Sequence, residues 1–271
     1  MTSVEAHYAS EAIAARLLSI LRAAAGPEVA ITPKTLAPLD QFHGRGLDAT
    51  VEMAALLAPE AGEHLVDIGC GIGGPARWVA STYNCKVTGV DLTPQFCEAA
   101  RTLTAACGLA GQVEILQGSA TALPLPDAAF DCGYSQNVVM NVADKAAFYR
   151  EAFRVLRPAA SFAVTSIAAG PGGAPHFPVP WASAPQFSFL STPEETQAEV
   201  VAAGFELVAF RHVPPAANQA EQRRKLERDG MPALSIGALM GDRFRECQIN
   251  SMRSVEERRT LALEFLLRKP G

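Results

Sequence analysis

From residue 67 to residue 75 the chain reads Asp-Ile-Gly-Cys-Gly-Ile-Gly-Gly-Pro, one carboxylate followed by four glycines. Glycine lets a backbone turn sharply and come close to a ligand, and a helix opening behind such a turn offers unpaired N–H groups. The chemistry on offer is nucleotide binding, and two ligand classes compete for it. Gly69, Gly71 and Gly74 fit the G-x-G-x-x-G pattern of dinucleotide sites, whereas Asp67, Gly69, Gly71 and Gly73 fit D-x-G-x-G-x-G. A carboxylate at the strand end would repel a pyrophosphate across a poorly hydrated gap and attract an ammonium group. Asp67 therefore argues for a nucleoside ligand that lacks the pyrophosphate. A second acid, Asp91, ends an apolar run 22 residues after Gly69. A carboxylate at about that distance accepts hydrogen bonds from both ribose hydroxyls, in either ligand class.

Such a turn needs a strand before it and a helix behind it. Leu65, Val66 and Ile68 supply the strand, and Pro75 suits the start of the helix. Strands are expected at 86–91, 113–117, 130–135 and 162–167, separated by helices at 94–107 and 144–156. Thr93-Pro94 opens the first of these helices and Gly108 stops it. A helix at 193–203, a strand at 205–213 and a last, antiparallel strand at 260–268 continue the pattern. Parallel strands joined by helical crossovers make an open sheet covered on both faces, with ligand at the carboxyl ends of the strands. The expected fold is α/β: a Rossmann-like, seven-stranded, mostly parallel sheet with helices on both faces and a helical cap.

Ser10 is expected to cap a helix carrying Ile13, Leu17, Leu18 and Leu21 and ended by Gly26-Pro27, and a second helix spans 48–57. The stretch 170–181 is too rich in glycine and proline for a helix or inner strand, yet its aromatic residues need burial. The chain is expected to be one domain over 1–271. Residues 1–45 form an N-terminal lid, 46–213 and 260–269 the core, and 214–259 a helical cap.

Over residues 60–170 the acid-and-glycine turn, Asp91 and the spacing of the strands resemble the class I S-adenosylmethionine (SAM)-dependent methyltransferases. The resemblance implies methyl transfer to a small-molecule acceptor by in-line displacement, with SAM as the only cofactor and no metal. Cofactor contacts are implied for Asp67, Gly69, Cys70, Gly71 and Gly73 in the turn, and for Asp91, Leu92 and Gln95 after the second strand. Further contacts are implied for Gln41, Ser119, Ala120 and Gln136. Ser119 stands where the family commonly has an acid that accepts from the adenine amino group. Arg157-Pro158-Ala159-Ala160 replaces the usual proline-glycine-glycine turn.

The segments 39–43, 134–145 and 176–181 look most like bacterial sarcosine and dimethylglycine N-methyltransferases and natural-product methyltransferases. The family pattern implies that Gln136 and Asn137 stand beside the transferring methyl, and by position His43 and His176 are the candidate proton acceptors. Tyr8, Asn141, Phe177 and Trp181 are the candidate acceptor contacts, although Phe177 and Trp181 equally suit a loop anchored against the core. A nicotinamide-dependent oxidoreductase and a non-catalytic SAM-binding protein are the alternatives.

Composition narrows the partners. With 49% hydrophobic residues, a formal charge of −5 and a pI near 5.6, the chain shows no basic footprint for nucleic acid or an anionic membrane. Its one basic cluster, Arg223-Arg224-Lys225, is interleaved with Glu221, Glu227 and Asp229 and reads as a solvated helix face. No apolar run approaches the roughly 18 residues of a membrane span, and no signal peptide is expected. The six cysteines form no C-x-x-C pair and have no histidine at metal-ligand spacing. They are expected to be reduced core residues of a cytoplasmic protein, monomeric or homodimeric.

Overall fold

The computed structural model describes the backbone of residues 3–237 and 242–271, and the side chains of residues 13–237 and 243–271. Its centre is one seven-stranded sheet of β1 (His64–Ile68), β2 (Lys86–Asp91), β3 (Val113–Gln117), β4 (Phe130–Gln136), β5 (Leu156–Ala169), β6 (Glu206–Val213) and β7 (Thr260–Arg268). The strand order is β3-β2-β1-β4-β5-β7-β6. Strands β1 to β5 pair in parallel, and β7 runs antiparallel to both β5 and β6. The order reverses between β1 and β4, and an open α/β sheet binds its ligand at the carboxyl side of such a switch point.

Nine α-helices are described: α1 (Ser3–Ala25), α2 (Pro33–Asp40), α3 (Leu47–Leu57), α4 (Gly74–Tyr83), α5 (Pro94–Ala106), α6 (Lys145–Val155), α7 (Pro193–Ala202), α8 (Gln219–Asp229) and α9 (Asp242–Glu256). On one face of the sheet, Val66, Ile68 and Phe162 pack with Phe148, Tyr149 and Val155 of α6 and Val200 of α7. On the other, Leu65, Val87 and Ala163 meet Met53 and Ala54 of α3 and Val79 and Ala80 of α4. Helices cover both faces of the inner strands, which is why burial in β1 and β4 lacks the alternation that marks a half-exposed strand, even at polar residues such as Ser135. The local signals agree. Asp144 caps α6 by accepting from the Ala147 N–H at 2.8 Å, and Thr192 with Glu195 makes a capping box for α7.

The N-terminal segment departs from its expected shape. Helix α1 begins at Ser3 rather than after Ser10. The Ser10 cap and Tyr8 lie outside the described side chains. The N-terminal lid segment also holds a helix with no counterpart among the expected ones, α2, opened by a Thr32–Thr35 capping box with Pro33 in its first turn. Leu17 and Leu21 of α1 are buried with Leu36 and Leu39 of α2 and Leu103 of α5. At about 1.5–3 kcal/mol for each large apolar side chain buried, this cluster holds the helices on the body of the domain.

Strand β5 starts at Leu156, six residues earlier than expected, and Ala159 within it has φ +64°. Among the described residues no helix is long and apolar enough to cross a membrane.

Candidate functional site

The turn between β1 and α4 is tied to β2. The Gly69 and Cys70 N–H groups both donate to the Val90 carbonyl, at 2.7 and 3.1 Å. Gly69 has φ +83°, and a Cβ there would come within 2.2 Å of Val138 Cγ2, so only glycine fits beneath the chain leaving β4. Asp91 organises the next stretch. Its Oδ2 accepts from the Gly71 N–H at 2.9 Å and its Oδ1 from the Thr93 N–H at 2.8 Å. Each carboxylate oxygen has a second lone pair open to a ligand hydroxyl. Leu92 follows with 68% of its surface exposed, an apolar plate facing the same space. The Ser119 hydroxyl is bonded to Thr121, through its side chain at 2.8 Å and its N–H at 3.2 Å.

These groups border one cavity of about 1470 Å³ along the carboxyl ends of the strands. Of the residues singled out in the sequence, the structure brings Gln41, His43, Gly69, Gly71, Asp91, Leu92, Ser119, Ala120, Gln136, Asn137, Asn141 and Trp181 to its wall. Trp181 also donates from Nε1 to Ser188 Oγ at 2.9 Å, so one ring both faces the cavity and anchors its loop.

Six others are not on the wall. Asp67 is 2% exposed in the body of β1, paired in register with Tyr134 of β4, and burial pushes its carboxyl up to about 8. It lies beneath the turn and off the cavity wall, a place from which it underlies the glycine loop rather than lining the ligand space. Cys70 is packed against Gly89, and burial raises its thiol well above the usual range. Gly73 stands at the N-cap of α4 against the Arg77 guanidinium. Gln95 and Phe177 lie off the wall, as does His176. His176 is instead held by Glu257, at 2.8 Å from Nε2, and by Ser254 Oγ, which accepts from its N–H. Glu257 also pairs with Arg253 and Arg259, which makes His176 part of a rim network.

Two features of the site had no counterpart in the sequence reading. The first is Thr50 of α3, fully buried, whose hydroxyl lies 2.7 Å from Gln41 Oε1, 3.2 Å from Gln136 Oε1 and 3.1 Å from His43 Nε2. One hydroxyl joins the end of α2, the segment after it and the tip of β4. The Gln136 Nε2 is buried with no partner among the described residues. Burial holds the His43 imidazolium down at about 4, so the ring is neutral at neutral pH.

The second feature is an ion pair between Asp40 of α2 and Arg77 of α4, 2.8 Å apart with both side chains 0% exposed. Gly74 makes room for it, since a Cβ there would meet the Asp40 carbonyl at 2.3 Å.

Residues 66–164 match the family model described as Methyltransferase domain. The chain is 29% identical over 217 residues to the O-methyltransferase resE of Aspergillus sclerotiorum, covering 77% of each protein. It is 32% identical over 127 residues to a phosphoethanolamine N-methyltransferase of Triticum aestivum, which is 47% of this chain and only 25% of that protein. The solved structure of the [4+2]-cyclase SpnF superposes with a TM-score of 0.66 at 22% identity over 94% of both chains, a likeness of fold. Residues 66–164 thus carry a methyltransferase domain, and the chain is similar in sequence and Rossmann-like fold to the class I SAM-dependent methyltransferases. Methyl transfer from SAM is its activity, and the family leaves open whether nitrogen, oxygen or carbon receives the group.

Proposed function

We propose that the cavity holds SAM and a small-molecule acceptor side by side, and that the chain's residues align the two for direct methyl transfer. The observation that carries this reading is the single continuous cavity containing both Asp91 with its open lone pairs and Gln136 with its unpartnered amide nitrogen. The donor set fits SAM. Asp91 would accept from the ribose hydroxyls, Leu92 would cover the adenine ring, and the side-chain-free backbone at Gly69 and Gly71 would border the chain of the cofactor. When bound, SAM supplies a methyl group already activated by its sulfonium.

The protein's task is then alignment and exclusion of water rather than bond polarisation. Gln41, Thr50, His43 and Gln136 form one hydrogen-bonded unit at the tip of β4, which would fix the acceptor's nucleophile against the methyl. His43 is the one of the two candidate histidines that faces the cavity, and its neutral ring would receive a proton and pass it to water. The cysteines described are free and mostly buried, in keeping with a reducing cytoplasm. We take the working unit to be a monomer or homodimer without nucleic acid or membrane partners, to be checked by light scattering.

Isothermal titration with SAM, S-adenosylhomocysteine and NAD tests the cofactor, and NAD binding without SAM binding would overturn the reading. Incubation with labelled SAM and a metabolite extract then tests catalysis. A labelled product is expected, and cofactor binding with no transfer to any fraction would leave a binding protein.

A further inference from the structure

We infer that the acceptor is an uncharged, mainly apolar molecule of at least drug size, and not a phosphorylated or other anionic one; this rests on the methyl-transfer reading above. Size is the first ground. A drug-sized ligand occupies a site of about 300–1,000 Å³. The cavity of about 1470 Å³ thus has room for the cofactor and an acceptor of comparable bulk. A molecule of a few atoms would leave most of the remaining wall in water.

The second ground is the nature of that wall. Away from Asp91 it is built by Met140, Ile167, Trp181, Phe244, Met252 and Leu263, drawn from the tips of β4 and β5, the loop after β5, α9 and β7. Such side chains gain roughly 25 cal/mol for each Å² removed from water, and that gain is open only to an apolar partner.

Charge is the third ground. The wall carries five carboxylates, Asp48, Asp91, Asp144, Glu256 and Glu264, against two guanidinium groups, Arg45 and Arg258. Arg45 is committed to Glu52. Glu264 is 2% exposed and receives both its bonds, at 2.9 Å each, from Arg211, while Glu256 is paired with Arg223 at 3.0 Å. Asp144 caps α6. Outside these ion pairs the wall keeps Asp48, Asp91 and Asp144 against Arg258, so an acceptor phosphate would enter a wall with more acids than cations, at a cost that rises as water is excluded. Among the described residues no three of His, Cys, Asp and Glu converge as a metal set that would offset such a charge. Glu256 and Glu264, next in sequence to the apolar wall residues Val255 and Leu263, are already neutralised by arginine, so neither is open to an acceptor cation. Polar contact comes from neutral amides, Gln219, Gln222 and Gln248 on α8 and α9, which suit hydroxyl and carbonyl groups.

Nile red, an uncharged apolar dye, provides the probe. The enzyme is titrated with it in the presence and absence of S-adenosylhomocysteine, and the dye is then displaced with an uncharged polycyclic alcohol, geranyl diphosphate or phosphoethanolamine. Saturable dye binding is expected, with displacement by the alcohol and none by either anion at the same concentration. Met252→Arg is expected to lower dye affinity about tenfold or more, ~1.4 kcal/mol, while S-adenosylhomocysteine affinity stays unchanged. Met252→Gln repeats the test with a smaller perturbation should the arginine variant fail to fold. Displacement by either anion as readily as by the alcohol, or full dye affinity in both variants, would overturn the inference. Because the dye is also titrated alone, failure of S-adenosylhomocysteine to bind counts against the methyl-transfer reading and not against this one.

Discussion

Replacing Asp40 with alanine is expected to be among the most damaging single changes in this domain, although neither Asp40 nor Arg77 touches the cavity. The Arg77 guanidinium is fully enclosed. Its Nη2 donates to Asp40 Oδ2 at 2.8 Å, and its Nη1 donates to the Ile72 carbonyl at 2.8 Å and to the Ala100 carbonyl and Thr104 Oγ1 at 3.3 Å. Without Asp40 those neutral acceptors remain, but no counter-charge does, and breaking a buried pair by removing one partner costs about 3–5 kcal/mol. At about 2–4 °C per kcal/mol for chains approaching this size, the melting temperature should drop by roughly 6–20 °C.

The two halves of the pair are not equivalent. Arg77→Met leaves a carboxylate that can take up a proton, whereas a guanidinium cannot lose one. The Arg77→Met variant would therefore bind a proton on folding, and its deficit should shrink as the pH falls toward about 4. The Asp40→Ala deficit should not follow that course. Asp40→Leu combined with Arg77→Met removes both charges and should recover most of the loss, because a buried pair is often replaceable by apolar side chains. Urea denaturation of the four proteins across pH gives all of these quantities. A deficit below about 1 kcal/mol for Asp40→Ala, or a double variant no better than the worse single one, would refute the claim that this pair locks α2 onto α4.

Three further outcomes are expected. Asp91→Ala should weaken SAM binding by about 2–4 kcal/mol, since it removes the proposed ribose acceptor and frees the Gly71 and Thr93 N–H groups; an unchanged dissociation constant by calorimetry would place the ribose elsewhere. For Asp67, burial raises the carboxyl from 3.8 to about 8, so the folded state binds a proton that the unfolded chain does not, and stability falls as pH rises through that window. Asp67→Asn mimics the protonated form and should escape the fall, so that its advantage over the parent grows by up to ~1.4 kcal/mol per pH unit there; parallel stability–pH curves would dismiss the idea. Ala159, at φ +64°, sits where an L side chain is strained, and Ala159→Gly should raise stability by about 0.5–1 kcal/mol, with any loss in the denaturation midpoint counting against it.

Wherever a short stretch of chain settles its own structure, the fold was legible in the sequence. The order of strands β1 to β7 follows from apolar runs of strand length, broken by proline and glycine at helix ends. Helix α2 was not legible. Its Pro33, Pro38 and the glycine nearby read locally as breakers, and what makes it a helix is the Thr32–Thr35 cap together with burial of Leu36 and Leu39 against α1 and α5. The Thr50 unit and the Asp40–Arg77 pair were invisible for a related reason. They join residues 86 and 37 positions apart, and a lone threonine or aspartate gives no sign of where its partner lies.

Asp67 and Asp91 show what a closer reading of strand position adds. Both are acids near the carboxyl ends of adjacent strands, and both read as ligand contacts. Asp91 is the last residue of β2, where the chain has already reached the edge of the sheet and its carboxylate can turn to the glycine loop. Asp67 is followed by Ile68, still inside β1, and shares a sheet face with Leu65 two residues before it. Alternation along a strand places a residue so flanked beneath a helix, whatever its chemistry. An acid inside an inner strand is therefore a demand for a proton or a partner, and an acid at the strand's end is available to a ligand. Glu264 obeys the same rule: in the middle of β7 and 2% exposed, it stands in register with Arg211 of β6 and takes both of its bonds from that one guanidinium. Position within the strand, more than residue type, separates the carboxylate proposed to meet the cofactor, Asp91, from the two enclosed within the sheet, Asp67 and Glu264.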